Sequence, residues 1–392
     1  MSKVGYCLQV VLCSCCKANL LLFSMEEKCD RKMIGSESMK AWEANIRKVV
    51  PYVPGEQPKD TNIIKLNTNE NPYPPSKYVE DAVKATDIEH LRLYPDPTMD
   101  HLVSAIAANC GIRKENVFVG VGSDDVIAMC FLTFFNSDKP IFFPDITYSF
   151  YDVWADMLKI PYETKALDDN FHMVLEDYQQ ENGGIIFPNP NAPTGLLEDL
   201  SLVEEIVAQN PASIVIVDEA YVDFGGKSAL SLIDKYDNLL VVQTFSKSRS
   251  MAGMRIGFAM GNSELIQYLN DVKYSFNSYT LNDTAIRFGA AAVKDKEYFQ
   301  ETVEKIVNTR EWTKKELQTL GFSFPDSKAN FIFATHKTIP AEELFQALRQ
   351  AKIFVRYFKK PRIDNYLRIT IGTQQEMEQF IRFLREYIRQ KI

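Results

Sequence analysis

A lysine flanked by hydroxyl side chains and followed by an arginine is the part of this sequence best suited to covalent chemistry. Lys247 comes shortly after Leu239–Val242, an apolar run typical of a buried strand. A lysine at a strand end is poorly solvated, so its neutral amine is accessible and can form a Schiff base with an aldehyde. Thr244, Ser246 and Arg255 supply the short donors and the planar guanidinium that a phosphate group requires. The segment therefore predicts a site for an aldehyde that carries a phosphate.

An aspartate at the end of a second apolar segment supplies the other half of the predicted site. Ile214–Val217 contains only valine and isoleucine, as buried parallel strands often do, and Asp218 follows directly. Open α/β sheets bind ligands at the carboxyl ends of their strands. A carboxylate there can keep a pyridine nitrogen protonated, and Tyr221 can donate to a phenolate oxygen. Together with Lys247, these residues indicate a site for pyridoxal phosphate.

Each half of this site has a simpler interpretation when it is considered alone. Lys247 and Arg255 would also suit a solvated surface loop, and an aspartate after an apolar strand is often a helix N-cap. Because both halves occur in one chain, we favour the cofactor site, with Lys247 and Asp218 as its catalytic residues.

The order of several motifs resembles that of the fold-type I pyridoxal-phosphate aminotransferases and, within that class, of the histidinol-phosphate aminotransferase family. The resemblance runs from about Met39 to the C-terminus and includes the Asp218 and Lys247 segments. The other motifs that carry it are Leu66–Pro72, Leu93–Pro97, Val121–Asp125, Pro188–Gly195 and Leu367–Thr373. It implies an α/β fold with a mostly parallel central sheet flanked by helices, and a second, smaller α+β domain.

The resemblance also implies roles for residues around the cofactor. The backbone amides of Ser123 and Asp124 would bind its phosphate, and Tyr148 would stack on its ring. Tyr94 would reach the phosphate in a neighbouring subunit, which implies a homodimer with shared active sites. The preceding segment, Gly120–Gly122, lacks the third glycine of a dinucleotide fingerprint and the Gly-Lys-Ser of a P-loop, so both of those phosphate sites are excluded.

One motif departs from the family pattern. The family usually has an asparagine directly before Pro-Thr-Gly, where its amide contacts the phenolate oxygen of the cofactor, but this sequence has Ala192 there. The preceding residue, Asn191, is our candidate for that contact. Loss of one such hydrogen bond costs about 0.5–1.5 kcal/mol and would not abolish cofactor binding.

Two arginines near the C-terminus are candidates for substrate recognition. By resemblance, Arg368 holds the substrate α-carboxylate, and Arg356 is a second arginine of the histidinol-phosphate group. Two guanidinium groups can bind either a phosphate or a carboxylate, so one site can accept both histidinol phosphate and glutamate. Asn71 is a third candidate substrate-binding residue, whereas we expect the nearby Arg362 to be a solvated edge residue.

Composition limits the class of protein. The net charge is −8, and lysine and arginine form no dense patch, which argues against nucleic-acid binding. Only Cys110 and Cys130 lie in the body of the chain, so we expect a reduced, cytoplasmic protein. A single Cys-x-x-C, Cys13–Cys16, has no second pair and histidine is scarce, so we expect no metal site.

The first 38 residues lie outside the family resemblance. Tyr6–Cys16 is mostly apolar but too short to span a membrane, and we interpret residues 1–38 as an upstream start or a disordered tail rather than an export signal. The rest is predicted to form a large cofactor-binding domain, residues 76–300, and a small domain, residues 39–75 and 301–392.

Apolar runs alternate with helical patterns along the body of the chain. The predicted strands of the large domain are Val117–Val121, Ile141–Phe143, Ile185–Phe187, Ile214–Val217, Leu239–Gln243 and Ile256–Met260. The predicted helices there are Asp124–Phe135, Leu200–Gln209, Ser263–Val272 and Thr284–Val293, followed by a long polar helix from Asp295 to about Leu320. The small domain is predicted to contain strands at Phe331–Phe333, Phe354–Arg356 and Leu367–Ile371, and helices at Ala341–Gln350 and Gln375–Gln390.

The implied reaction is transamination, in which histidinol phosphate and 2-oxoglutarate give imidazole-acetol phosphate and glutamate. Lys247 would carry the cofactor and, once displaced by the substrate amine, would move the proton at the substrate α-carbon. An aromatic amino-acid aminotransferase and a related pyridoxal-phosphate-dependent decarboxylase are the alternatives within the class. A cofactor-binding transcription regulator is disfavoured, because residues 1–38 are too short for a winged-helix domain.

Overall fold

The computed structural model describes residues 40–53, 55–60 and 62–391. The chain divides into two compact units, Met1–Lys48 and Val49–Ile392. In the first unit the described residues contain a short 3-10 helix, Ala41–Asn45. The predicted extension, residues 1–38, lies outside the described residues. The elements below belong to the second unit.

A seven-stranded sheet forms the centre of the second unit. Strand β1 (Ile64–Lys65) belongs to a separate pair. The seven strands are β2 (Val117–Gly120), β3 (Ile141–Pro144), β4 (Tyr162–Lys165), β5 (Gly184–Pro188), β6 (Val215–Asp218), β7 (Leu239–Thr244) and β8 (Gly257–Gly261). Their order is β2-β8-β7-β6-β5-β3-β4, and all neighbours are parallel except that β8 is antiparallel to β2 and β7. The predicted mostly parallel sheet is confirmed.

Helices cover both faces of this sheet. The α-helices of the described chain are α1 (Lys77–Lys84), α2 (Asp100–Cys110), α3 (Gly122–Phe134), α4 (Tyr151–Leu158), α5 (Leu200–Gln209), α6 (Ser263–Phe276), α7 (Asp283–Lys294), α8 (Lys296–Thr319), α9 (Ala341–Gln350) and α10 (Gln374–Lys391). Val215 and Val217 pack in one core with side chains of α2, α5 and α7. Ile216, between them, packs in another core with side chains of α3, α4 and α6. Because β6 is buried on both faces, its sequence is a continuous apolar run.

A second, antiparallel sheet lies near the C-terminus. Its strands are β9 (Phe322–Ser323), β10 (Phe331–His336), β12 (Arg356–Tyr357) and β13 (Leu367–Thr370), in the order β12-β13-β10-β9, while β11 (Ile353–Phe354) pairs in parallel with β1. The predicted strand Phe354–Arg356 is therefore wrong, because the buried Val355 separates two strands of different sheets. Side chains of α8, α9 and α10 share one core with this sheet. The proposed domain boundaries stay a prediction.

The carboxyl ends of β2, β6 and β7 meet at one edge of the central sheet. Asp218 is the last residue of β6, and Lys247 follows three residues after Thr244, the last residue of β7. Helix α3 begins two residues after Gly120, the last residue of β2. The topology thus brings an acid, a lysine and a helix N-terminus to the same edge.

Candidate active site

Two cavities that share part of their walls lie at this edge of the sheet. The first, of about 160 Å³, is lined by eight of the predicted residues: Ser123, Asp124, Tyr148, Asp218, Tyr221, Ser246, Lys247 and Arg255. The second, of about 130 Å³, is lined by both Arg356 and Arg368. The residues common to both walls are Thr68, Tyr148, Ala192, Tyr221 and Lys247. The sequence motifs that predicted a cofactor and an anionic substrate therefore face adjoining spaces.

Lys247 faces both cavities. Its half-buried Nζ donates to the backbone oxygen of Thr68 at 3.4 Å and lies 5.7 Å from the centre of the Tyr221 ring. Within the described chain, Nζ makes no other hydrogen bond. Because this one is long, the amine is available to a ligand in either cavity.

Asp218 is buried at the floor of the first cavity, with 4 % of its surface exposed. Its carboxylate accepts hydrogen bonds from the Tyr151 hydroxyl at 2.9 Å and from the Ala220 backbone N–H at 3.2 Å. Burial raises the pKa of Asp218 to about 6, although both hydrogen bonds act in the opposite direction. Sequence reasoning missed Tyr151, because no motif signals which distant side chain will reach Asp218.

The first turn of α3 forms the end of the first cavity that suits a phosphate. The first amides of a helix have no acceptor within the helix, so those of Ser123 and Asp124 can point to an anion. A Cβ on Gly257 would lie 2.3 Å from the Ser123 nitrogen, so β8 can approach this turn only with glycine. The Asp124 carboxylate accepts from the Tyr148 hydroxyl at 2.8 Å and pairs with Arg255 at 3.1 Å.

Thr244 lies behind the cavity wall rather than on it. Its buried Oγ1 accepts from the Ser246 backbone N–H at 3.1 Å and donates to Ser246 Oγ at 3.0 Å. Ser246 itself lines the first cavity. The structure therefore gives Thr244 the role of orienting Ser246, whereas the sequence had placed both hydroxyls on the phosphate.

The structure does not bring Asn191 to either cavity wall. Its side-chain nitrogen donates to the Ile146 backbone oxygen at 3.0 Å and to Thr194 Oγ1 at 3.1 Å. Ala192 occupies the wall of both cavities instead. Because its amide nitrogen is engaged by the turn, Asn191 does not compensate for the asparagine that the family pattern has at position 192.

Tyr221 is held in place by Asn69. The Tyr221 hydroxyl accepts from Asn69 Nδ2 at 2.9 Å, and Asn69 Oδ1 in turn accepts from Thr370 Oγ1 at 2.9 Å. Asn71, the candidate substrate residue, lies in the same segment but lines neither cavity. Its amide donates to the Ser248 backbone oxygen at 3.1 Å, which ties this segment to the Lys247 loop.

Arg356 and Arg368 are directly opposite each other on the antiparallel strands β12 and β13. Arg368 donates to the Asn67 backbone oxygen at 3.1 Å, while its Nε is buried without a hydrogen-bond partner. Neither guanidinium is within ion-pair distance of a carboxylate in the described part of the chain. Burial lowers the pKa of Arg368 from its usual value. Two like charges in adjacent positions are unfavourable unless an anion binds between them.

Two other predicted positions lie outside both cavities. Tyr94 is 82 % exposed and stacks on Tyr279, with 4.6 Å between the ring centres. Arg362, expected to be a solvated edge residue, is exposed, and it also pairs with Asp145 at 2.8 Å and donates to the backbone oxygens of Leu167 and Asp168. The expected exposure of Arg362 is therefore confirmed, but its contacts were not predicted.

Two further features concern the described residues as a whole. Among residues 40–53, 55–60 and 62–391, no helix combines the length and apolar content needed to cross a membrane. Over the same ranges, no group of three or more His, Cys, Asp or Glu side chains is arranged to hold a metal ion.

Comparison with known proteins gives consistent matches. The family model for aminotransferase class I and II matches residues 61–384. A histidinol-phosphate aminotransferase of Clostridium acetobutylicum is 54 % identical over 89 % of this chain and 99 % of its own length. One from Brachyspira hyodysenteriae is 52 % identical over 88 % of this chain and 97 % of its own length.

A solved structure shares the fold. The histidinol-phosphate aminotransferase of Sinorhizobium meliloti, in complex with pyridoxal-5'-phosphate, matches with a TM-score of 0.76 at 21 % identity. The match covers 84 % of this chain and 92 % of that chain.

Proposed function

This chain belongs to the aminotransferase class I and II family, and from that membership we propose that it is a histidinol-phosphate aminotransferase. It transfers an amino group from histidinol phosphate to 2-oxoglutarate in histidine biosynthesis. The geometric observation that carries this assignment is the pair of opposed arginines, Arg356 and Arg368, on the wall shared with Lys247.

The first cavity fits pyridoxal phosphate. The N-terminus of α3, Ser246 and Arg255 would hold the phosphate, and the glycine at position 257 leaves room for the approach of β8 to that turn. Tyr148 would lie against the ring, and Asp218 would face its nitrogen. Tyr221 would donate to its phenolate oxygen. When bound, the cofactor supplies an electron-withdrawing ring that stabilises the charge left when the substrate α-proton is removed.

The chain's own residues carry the proton and the substrate. Lys247 Nζ, which faces both cavities, would hold the cofactor and, when free, would move the proton at the substrate α-carbon. Arg356 and Arg368 would bind the phosphate of histidinol phosphate in one half-reaction and a glutamate carboxylate in the other. Either anion neutralises the like-charge pair, so the same pocket serves two substrates of different shape.

We also propose that the active unit is a homodimer located in the cytoplasm. Tyr94 stacks on the exposed Tyr279, and other exposed apolar side chains occur in the two chain segments that contain these residues, namely Ile88, Leu91, Leu93 and Phe276. An exposed aromatic patch of this kind is typical of a protein interface. From it, Tyr94 could extend to the cofactor phosphate of a second copy. Cys110 and Cys130 are free thiols, which agrees with a reducing compartment.

The assignment is tested by turnover with three amino donors. Histidinol phosphate, phenylalanine and histidinol are each supplied with 2-oxoglutarate, and glutamate formation is measured. Histidinol differs from the expected substrate only by the phosphate, so it isolates the contribution of that group. We expect the highest kcat/KM with histidinol phosphate and a large loss with histidinol, because the two arginines then have no anion to bind.

Other outcomes would point to the alternatives. If phenylalanine is used with the higher kcat/KM, the chain is an aromatic amino-acid aminotransferase of the same fold. If carbon dioxide is released from an O-phosphorylated amino acid without glutamate formation, the decarboxylase alternative is supported. Either result would change the proposed substrate but not the residues proposed to bind the cofactor.

A further inference from the structure

The residue that supports Asp218 is Tyr151, the first residue of α4. Its side chain is fully buried, and its hydroxyl lies 2.9 Å from Asp218 Oδ2. Phe143 and Tyr148 pack against its ring in edge-to-face geometry, with centres 5.9 and 5.8 Å away. Because the ring is fixed on two sides, the hydroxyl has little freedom to leave the carboxylate.

We propose that Tyr151 is a positioning residue that orients Asp218 and keeps it ionised, so that Asp218 can hold a proton on the ring nitrogen of the cofactor. The proposal rests on the function proposed above, since it concerns the same site. It assigns Tyr151 no contact with the substrate or the reacting atoms.

The direction of the hydrogen bond follows from the two pKa values. Burial and the neighbouring Asp218 carboxylate raise the pKa of Tyr151 well above its usual value, so the hydroxyl stays protonated and donates. Asp218 then accepts, and this contact opposes the burial that raises its own pKa. Without the Tyr151 hydroxyl, the Asp218 carboxylate would retain, among the described residues, only the Ala220 N–H donor at 3.2 Å.

Other charged groups around Asp218 do not replace this contact. Asp124, from α3, raises the pKa of Asp218, and Lys247, from the loop after β7, lowers it less than the hydrogen bonds do. The adjacent Glu219 has other partners, since it accepts from Ser228, Ala229 and Gln243. The other titratable side chains that line the first cavity are Glu70, Tyr148, Tyr221 and Arg255. Tyr151 is thus the strongest contact that favours the ionised carboxylate.

The test compares Tyr151→Phe with wild type in full-length holoenzyme containing cofactor labelled with ¹⁵N at its ring nitrogen. The ¹⁵N chemical shift across neutral pH reports whether that nitrogen carries a proton. In the variant we expect the ring nitrogen to lose its proton at a lower pH, with the midpoint of this titration shifted down by about one pH unit. The size of the shift follows because one hydrogen bond to a charged group changes an equilibrium constant about tenfold or more. The cofactor dissociation constant should rise by about the same factor.

Tyr178→Phe is the matched control. Tyr178 is also fully buried, but its hydroxyl has no hydrogen-bond partner among the described residues and it lines neither cavity. The same chemical change there should leave the ¹⁵N midpoint at its wild-type value. An equal shift in both variants would show a general packing effect and overturn the proposal.

A double-mutant cycle tests whether Tyr151 acts through Asp218. On an Asp218→Asn background, Tyr151→Phe should produce no further loss of cofactor affinity. A full, additive loss would overturn the proposal. If Tyr151→Phe does not fold, 3-fluorotyrosine placed at position 151 keeps the hydroxyl as a stronger donor and should shift the midpoint upward.

These readouts are independent of turnover. A wild-type protein that binds the cofactor but does not use histidinol phosphate would refute the proposed substrate and leave the proposal for Tyr151 open to the same measurement. An unchanged ¹⁵N midpoint in Tyr151→Phe, in a protein that does use histidinol phosphate, would refute the proposal for Tyr151 alone.

Discussion

Replacing Arg356 with methionine is expected to have opposite effects on catalysis and on the stability of the substrate-free protein. Arg356 faces Arg368 across two strands, and neither has a carboxylate partner in the described chain. Without substrate, the pair repels. With a phosphate or carboxylate bound, each guanidinium gains a charge-assisted contact. A neutral side chain of similar length removes both effects.

The two magnitudes can be compared. Like charges directly opposite on neighbouring strands cost roughly 0.2–1 kcal/mol, so the free energy of unfolding should rise by no more than this, because Arg356 is partly exposed. A hydrogen bond to a charged group is typically about 1.5–3 kcal/mol, so kcat/KM for histidinol phosphate should fall roughly 10- to 150-fold. Arg368 is more enclosed, and its loss should cost about 2–5 kcal/mol.

The assays are urea unfolding of the substrate-free protein and kcat/KM for histidinol phosphate and phenylalanine. Arg385→Met removes the same charge from an exposed position on α10 and should change neither kcat/KM. Arg356→Lys should keep the repulsion but recover little activity, because an ammonium lacks the bidentate geometry. The reasoning fails if Arg356→Met lowers stability, or if phenylalanine turnover falls as much as that of histidinol phosphate.

Three further predictions follow from the site. Borohydride should fix the cofactor to Lys247, and Lys247→Ala should lose both this attachment and turnover, as checked by peptide mass spectrometry; wild-type turnover in the variant would refute the assignment. Burial raises the pKa of Asp218 from 3.8 to about 6, so the native state binds a proton that the unfolded chain has lost between these values. Stability should therefore fall as pH rises through this window. In urea unfolding of cofactor-free protein, the stability of Asp218→Asn relative to wild type should rise through the same window and level off above about pH 6. Arg362→Ala should raise KM several-fold without altering the cofactor absorbance, because it frees the loop after Arg356 from Asp145; an unchanged KM would contradict this.

The central sheet could be predicted because its strands are buried on both faces. Runs such as those of β6 and β7 have no polar interruption, and the predicted bounds differ from the observed ones by one residue. Strand β4 was missed because three of its four residues are exposed at the sheet edge, so its sequence has no apolar run. Helix α2 was also missed, although the spacing of its buried Leu102 and Ile106 carries a helical signal.

The site was predictable where a motif carries the chemistry and not where contacts join distant segments. Lys247 and Asp218, which both line the first cavity, were predicted from strand ends and residue type alone. The hydrogen bond from Tyr151 to Asp218 joins residues 67 positions apart, and the sequence around either residue does not indicate it. Thr244 and Ser246 were both predicted to bind the phosphate, but which hydroxyl lines the cavity depends on the turn that follows β7.

With pyridoxal phosphate in the first cavity, the alanine at position 192 would leave the phenolate side of the cofactor to Tyr221. Asn191 is engaged by Ile146 and Thr194, so the turn offers no amide there. Asn69, however, donates to the Tyr221 oxygen at 2.9 Å, and this leaves the hydroxyl's own hydrogen free to donate into the cavity. Because an oxygen that already accepts a hydrogen bond becomes a better donor, Asn69 strengthens the contact that Tyr221 can make. We infer that the pair of Asn69 and Tyr221 replaces the contact that the family's asparagine usually makes.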